Sequence, residues 1–502
     1  MTHSDQLSSA VGSVDTPAAP GTDPAPDIPL DSALATVLTG LWGQPVTVTE
    51  LHQLAGGASR EIWSLRAESA RVQRRLVLTR DPRGASRNRS MTREAALLDA
   101  AARTGVPVPT LRGQGDGSDG VGSQYLLMDH VEGETIPRRL LRDPAFAAVR
   151  TGLAAELGRV LARIHAIPLA ELPDLDGGDP LDQLRATHDA FDEPRPALEL
   201  VLRWLAEHRP PPRRPGLVHG DFRNGNLMLG PEGLRAVLDW ELAHLGDPVQ
   251  DLGWLCVKAW RFGAPAPVGG FGGRAELLDG YAEVAGWRPT EDELRWWEVY
   301  GTVHWAVICR QQAERHLGGT ERSVEMAVLG RRICESEHDA LLALGLTAPV
   351  TVPDPLAEPP TASAAQAGFE PVAAGPVAAG PVAAGPHDRP SVDELLSAAA
   401  GFLSEDVVAG ADEMDPRVRF HARVAANALV IARRELLVGP AQAAAHAARL
   451  AALGCADDRA LVAAIRSGTL DERWDEVLAT VRELTVAKLT VANPRYLTHP
   501  AG

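Results

Sequence analysis

The chain has 502 residues, with 66 acidic against 49 basic side chains and a net charge of −17. That length predicts two or three domains, and an acidic chain without a long basic stripe argues against nucleic acid as the main partner. No apolar run reaches the length of a membrane span, and the N-terminus lacks a basic-then-apolar secretory pattern. The four cysteines, Cys256, Cys309, Cys334 and Cys455, show neither close pairing nor metal-ligand spacing. The expectation is a cytoplasmic protein in a reducing compartment, with no structural zinc and no membrane partner.

Residues 1–29 are rich in Ser, Ala, Pro and Asp without periodicity and are expected to be disordered. Residues 30–128 read as a mixed α/β lobe. Leu54 to Leu65 reads as strand, Gly-rich turn, strand, with Gly56, Gly57 and Ser59 in the turn; a Gly pair lets a backbone approach a ligand closely, although most such pairs are hairpin turns. Arg75 to Arg80 reads as a strand before Pro82, and Arg93-Glu94 opens a helix. Gln124 to Asp129 is an apolar strand, with Leu127 and Met128 as core or pocket wall.

Residues 129–349 read as a mainly helical second lobe around His219-Gly-Asp-Phe-Arg-Asn-Gly-Asn226. Leu217-Val218 leads into that octapeptide, and Ala236-Val237-Leu238 leads to Asp239-Trp240-Glu241, with a turn at Gly230-Pro231-Glu232-Gly233. Asp221, Asn226 and Asp239 at strand ends make a hard-oxygen pocket of the kind that suits Mg²⁺ and a phosphorylated ligand. Asp247 stands as a helix cap before Pro248. Further on, Trp254, Lys258, Arg261, Trp305 and Arg310 either form helix core or line an aromatic, partly basic pocket.

Residues 350–390 carry Pro353, Pro355, Pro359-Pro360 and three Pro-Val-Ala-Ala-Gly units at 371–385, the composition of an extended linker. Residues 391–496 read as a separate helical domain. Ser391 to Glu394 is a capping box, Val418 to Leu436 repeats by four and three, and Trp474, Leu478 and Val481 mark a helix stopped by Pro494. Its small-residue faces suit helix packing within the domain or against a protein partner.

The octapeptide and the following Asp239 resemble the signature of the aminoglycoside phosphotransferase family, related to choline kinases and to protein kinases. Gly246-Asp247-Pro248-x-x-Asp251-Leu also resembles that family. The resemblance is nearest to the kinase-like units joined to acyl-CoA dehydrogenases, and the tail resembles a helical domain of unknown function found with such kinases. It implies an α+β, bilobal protein-kinase-like fold over 30–349, followed by the flexible linker and an all-α domain. It implies ATP and Mg²⁺, with transfer of the γ-phosphate to a small-molecule alcohol. By resemblance Asp221 is the catalytic base, Asn226 and Asp239 hold the metal, and His219 and Asp251 support the loop. Gly56, Gly57, Ser59, Arg80, Glu94 and Met128 would surround the nucleotide. The chain departs from the family at Thr79, where a basic residue is usual. Either Arg80 replaces it, or the site is weaker and the chain is a nucleotide-binding regulator with a helical interaction tail. Lys258, Arg261 and Arg310 suit an anionic acceptor, such as a hydroxyacyl group on coenzyme A, better than a polycationic aminoglycoside.

Overall fold

The computed structural model describes residues 28–54, 60–82, 91–321, 323–357, 396, 399–408 and 415–498. Gly56, Gly57 and Ser59, the repeats at 371–385 and the capping box at 391–394 lie outside the described residues. The chain divides into two compact units. The first is residues 1–86 with 113–127, and the second is 87–112 with 128–502.

The first unit holds a sheet in the order β1-β2-β3-β5-β4. Its strands are β1 (Thr47–Gln53), β2 (Glu61–Glu68), β3 (Gln73–Arg80), β4 (Leu111–Gly115) and β5 (Tyr125–Asp129). β2 and β3 form an antiparallel hairpin in which Ile62 faces Thr79 and Glu61 faces Arg80. Alternation along β3 buries Leu76, Leu78 and Arg80 on one face. Leu76 and Leu78 join Leu34 and Leu38, from the helix Leu30–Trp42, in the unit's core. Each such leucine contributes about 1.5–3 kcal/mol by leaving water. The helix stops at Gly43, whose φ of 65° is left-handed.

The second unit is mainly helical. The helix Met91–Arg103 belongs with it, although the sequence reading put that helix in the first lobe. Arg93 ties it there by donating to Asp176 and to the Ala243 carbonyl, and the Val237 N–H bonds the Pro107 carbonyl. The segment around His219–Asn226 is built on β6 (Gly216–Val218), β7 (Leu227–Gly230), β8 (Gly233–Val237) and β9 (His244–Gly246). β7 and β8 form the expected hairpin around Gly230–Gly233, while β6 pairs with β9. Below them the helix Val249–Cys256 packs on the long helix Glu291–Leu317. Gly253 makes this approach possible, since a Cβ there would lie 2.4 Å from the Trp297 side chain.

The tail does not stand apart. Its helices Pro416–Leu453, Asp458–Ser467 and Trp474–Ala492 belong to the same unit as the second lobe. Leu489 and Leu497 share a core with Cys334 of the lobe helix Ile333–Ala343. Lys488 donates to Glu337, Asn493 to Glu335 and the Tyr496 hydroxyl to Asp339. Glu337 is fully buried and is also bound by Arg195 of the lobe. Burial pushes its carboxyl up, but the charges of Lys488 and Arg195 outweigh burial and hold it below the usual carboxylate range. The separate domain read from the linker composition is therefore, in the folded chain, joined to the lobe by buried charge pairs and a shared apolar cluster. Among the described residues no helix is long and apolar enough to cross a membrane, and the four cysteines are free and buried.

Candidate active site

The loop His219–Asn226 is suspended from Asp251, which the helix Val249–Cys256 places beneath it. The Asp251 carboxylate accepts from the His219 and Gly220 N–H groups at 2.8 and 3.0 Å and from His165 Nε2 at 3.1 Å. Burial pushes this carboxyl up, but the His165 hydrogen bond and charge, with the backbone bond of His219, hold it below the usual range. Asp247 accepts from the Val249 N–H at 2.9 Å, the capping contact expected from sequence. Gly220 has φ of 84°, and a Cβ there would lie 2.5 Å from the Leu242 carbonyl, so only glycine fits.

His219 is wholly enclosed. Its Nδ1 accepts from the Asp221 N–H at 3.2 Å, so Nε2 carries the proton and donates to the Leu238 carbonyl at 3.1 Å. Burial pushes its pKa down, which keeps the ring neutral. His219 thus joins the loop to the β8 end and does no proton chemistry of its own there.

Asp221 stands over this scaffold with its carboxylate bound from three sides. Oδ1 accepts from Arg223 Nε at 2.8 Å and from Trp254 Nε1 at 2.9 Å, and Oδ2 accepts from Asn226 Nδ2 at 2.7 Å. Asn226 spends its amide N–H groups on Asp221, so its amide oxygen is the ligand atom it has to offer. The bond from the Leu238 N–H to the Asn226 carbonyl sets Asn226 beside the β8 end, one residue from Asp239. Asp239 is exposed and has φ of 63°, a left-handed conformation that Asp tolerates better than most residues. An exposed carboxylate and a free amide oxygen at one end of a hairpin are a hard-oxygen donor pair, which fits Mg²⁺.

Two contributors, Arg223 and Asn224, were not singled out from sequence, and His304 was read only as one of the residues on the helices expected to wall the acceptor pocket. Arg223 pairs with Asp221 and lies 4.4 Å from the Trp260 ring centre. Asn224, fully buried, donates to the carbonyls of Trp260 and Gly269 and so holds the segment 260–269 under the loop. His304 lies 5.6 Å from Trp254, ring to ring, and burial pushes its pKa down to about 4. A charge two residues after Asp221 is visible in the sequence, but its direction is not.

The remaining candidates divide. Arg80 is turned into the first unit's buried face, where Nε binds Glu61 at 2.7 Å and Nη1 binds the Val121 carbonyl at 2.9 Å. Its expected role as the substitute cation is corrected on that ground, because strand alternation sends Thr79 and Arg80 to opposite faces. Glu94 is buried in the first turn of its helix, and Met128 is part-buried near the end of β5. Trp254 touches Asp221 itself. Lys258, Arg261 and Trp305 come together around a cavity of about 830 Å³, but the Arg261 guanidinium points away from it, to Glu298 and the Cys256 carbonyl. Arg310 lies elsewhere, held by Glu193 and Glu314. Arg261 and Arg310 are therefore structural cations in this fold. Among the described residues, one further cluster has metal-ligand spacing, His188, Asp189 and Glu199. Arg185 and Arg466 already neutralise its acids.

Residues 50–297 match the Phosphotransferase enzyme family, and residues 412–496 match a domain of unknown function, DUF6285. Acyl-CoA dehydrogenase family member 10 of Mus musculus is 34% identical over 248 residues, 46% of this chain and 22% of that protein. Acyl-CoA dehydrogenase family member 11 of Gallus gallus is 28% identical over 243 residues, 45% of this chain and 30% of that protein. The chain thus spans less than a third of these curated relatives. A solved structure from Ralstonia eutropha JMP134, assigned as an aminoglycoside phosphotransferase, aligns with a TM-score of 0.50 at 24% identity, over 62% of this chain and 97% of that one. That likeness speaks for the kinase-like α+β fold. With the loop geometry and the family match in agreement, residues 50–297 of this chain are a domain of the phosphotransferase enzyme family.

Proposed function

We propose that the chain transfers the γ-phosphate of ATP to a hydroxyl of a small anionic acceptor. The observation that carries this reading is the Asp221 carboxylate, held by Arg223, Trp254 and Asn226 at the end of a loop whose backbone is tied to Asp251. A carboxylate fixed from three sides keeps a free lone pair on Oδ2, the position from which a general base takes a proton. In the step, the acceptor oxygen forms a bond to the γ-phosphorus as the bond to the ADP oxygen breaks, and the hydroxyl proton passes to Asp221. Asn226 and Asp239 would hold Mg²⁺, which supplies charge neutralisation for the phosphates. Trp254 and Arg223 hold the carboxylate in one orientation. Gly56, Gly57, Ser59, Met128 and Glu94 are assigned to the nucleotide on the family resemblance alone.

For the acceptor, a hydroxyacyl thioester of coenzyme A is the first candidate, supported by the likeness to the acyl-CoA dehydrogenase family members. A screen of hydroxyacyl-CoAs, amino alcohols and sugars for acceptor-dependent ADP release tests it. Release with the neutral alcohols alone would refute an anionic acceptor, and Mg²⁺-ATP binding without release by any class would refute the transferase.

A second reading, a nucleotide-binding regulator, is favoured by one observation. β3 carries no cation at Thr79, and Arg80 is spent on Glu61. On that reading ATP binds and is not turned over, and the tail is its output.

A further inference from the structure

We infer that the C-terminal helices are part of the acceptor site, and that the cavity between them and the second lobe binds the phosphate-bearing end of an anionic acceptor. This rests on the phosphotransferase reading above. The cavity, of about 830 Å³, is walled on one side by Lys258, Trp260, Trp305 and Arg332 of the lobe. On the other side stand Arg434, Arg495 and Tyr496 of the tail.

Two features give the cavity its chemistry. First, it is cationic in a strongly acidic chain. Leaving out Arg261, whose guanidinium faces away, its lining has five cations (Arg331 with the four just named) against two acids, Glu335 and Asp354. Glu335 pairs with Arg332, and Lys258 and Arg331 pair with Asp339 and Glu435 outside the lining, so these three charges are partly compensated from behind the wall. Arg434 is held in place by both oxygens of Asp354, at 2.9 and 2.7 Å, and more loosely by the Val491 carbonyl at 3.5 Å, which leaves one N–H on each terminal nitrogen for a ligand. Such a wall selects phosphate groups, and the Trp260, Trp305 and Tyr496 rings offer faces for an aromatic base.

Second, the cavity adjoins the reacting end. Trp260 and Trp305 lie 4.7 Å apart, ring to ring, and both line it. The same Trp260 ring carries the Arg223 guanidinium, whose Nε lies 2.8 Å from the Asp221 carboxylate. An acceptor anchored by its phosphates among Arg434 and Arg495 therefore has the Trp260 indole and the Arg223 guanidinium between its anchor and the base. A long flexible arm is the acceptor architecture that such a separation suits, and binding energy from the remote end would serve to position the hydroxyl.

The test is calorimetric titration of the full chain, without ATP, with coenzyme A and with pantetheine, which has the arm but neither phosphates nor base. The expected result is binding of coenzyme A, pantetheine at least about tenfold weaker, and a loss of about tenfold or more in coenzyme A affinity in Arg434→Gln and in Arg495→Glu, since each removes a charged contact. Excess Mg²⁺-ADP should leave coenzyme A bound. No binding by the native chain, equal binding of pantetheine, displacement by Mg²⁺-ADP, or unchanged affinity in the variants would each overturn the proposal. Arg495 is exposed, so its charge reversal tests the claim even if Arg434→Gln fails to fold. Because no turnover is measured, a failure of the transferase reading leaves this result readable.

Discussion

The His219–Asn226 loop and the seam between lobe and tail are both dense in hydrogen-bonded charge, but they are organised at different ranges. In the loop, Asp221, Asn226, His219 and Arg223 bind one another within eight residues, and Asp251 anchors them from the next helix. In the seam, Lys488 reaches Glu337 and Tyr496 reaches Asp339, each across more than 150 residues. Local wiring leaves a pattern in the chain that can be read before folding. Long-range wiring leaves only isolated charges. The loop also carries an electrostatic task, whereas the seam's pairs hold two helical layers together and shape a cavity.

The comparison breaks first at Asp239, the proposed metal ligand. Asp239→Asn is the cleaner substitution there, since Asn also tolerates φ of 63° while losing the charge. Mg²⁺-ATP affinity, measured by titration, should fall about 10- to 100-fold. Unchanged affinity would remove Asp239 from the metal site.

The seam is tested by Lys488→Met. Glu337 is fully buried, and Arg195 remains as its partner, so the loss should be about 1–3 kcal/mol in denaturant unfolding. The exposed pair Arg449–Glu483 is the control, and Arg449→Met should cost less than about 1 kcal/mol. Equal small costs would mean that the tail is only loosely attached. The same logic predicts that a chain cut within 360–385 and deprived of its tail is less soluble than the whole.

These outcomes bear on what could be read in advance. The loop, the β7–β8 turn and the Asp247 cap follow from residue types at fixed short spacing, and the structure has them where the sequence places them. Alternation correctly separated Thr79 from Arg80. It could not say which faced the core, because that depends on Glu61 across the hairpin. Helical spacing likewise grouped Lys258, Arg261 and Arg310 as cations without telling which were already paired. The linker's Pro and Gly content described 350–390 alone and carried no information about where the helices beyond it dock.

A pH prediction separates the loop from the seam again. His304 has a folded pKa of about 4 against an ordinary 6.5, so folding favours its neutral form. Its contribution to stability is complete above pH 6.5 and is lost as pH falls towards 4. The melting temperature should therefore decline over that window, and His304→Gln should flatten the decline. Glu337, whose carboxyl is held below 4.5, loses its contribution only in more acid solution. Burial also pushes His338, on the seam helix, down to about 4, so His338→Gln is the matched control, and the variant that flattens the decline shows which region carries the acid sensitivity.

The smallest expected effect is at β3. Thr79→Arg puts a cation on the face that Arg80 does not occupy, and should tighten Mg²⁺-ATP by no more than about tenfold. Arg80→Ala should lower stability through loss of Glu61 and leave ATP affinity near native. The reverse pair of results would restore Arg80 as the phosphate-binding residue.

The central claim is that Asp221 takes the acceptor proton. Single-turnover phosphoryl transfer and Mg²⁺-ATP binding, measured together on native chain and Asp221→Asn, test it most directly. The account predicts that transfer falls about 10²- to 10⁴-fold while ATP affinity stays within a few-fold of native. Near-native transfer in Asp221→Asn would contradict it.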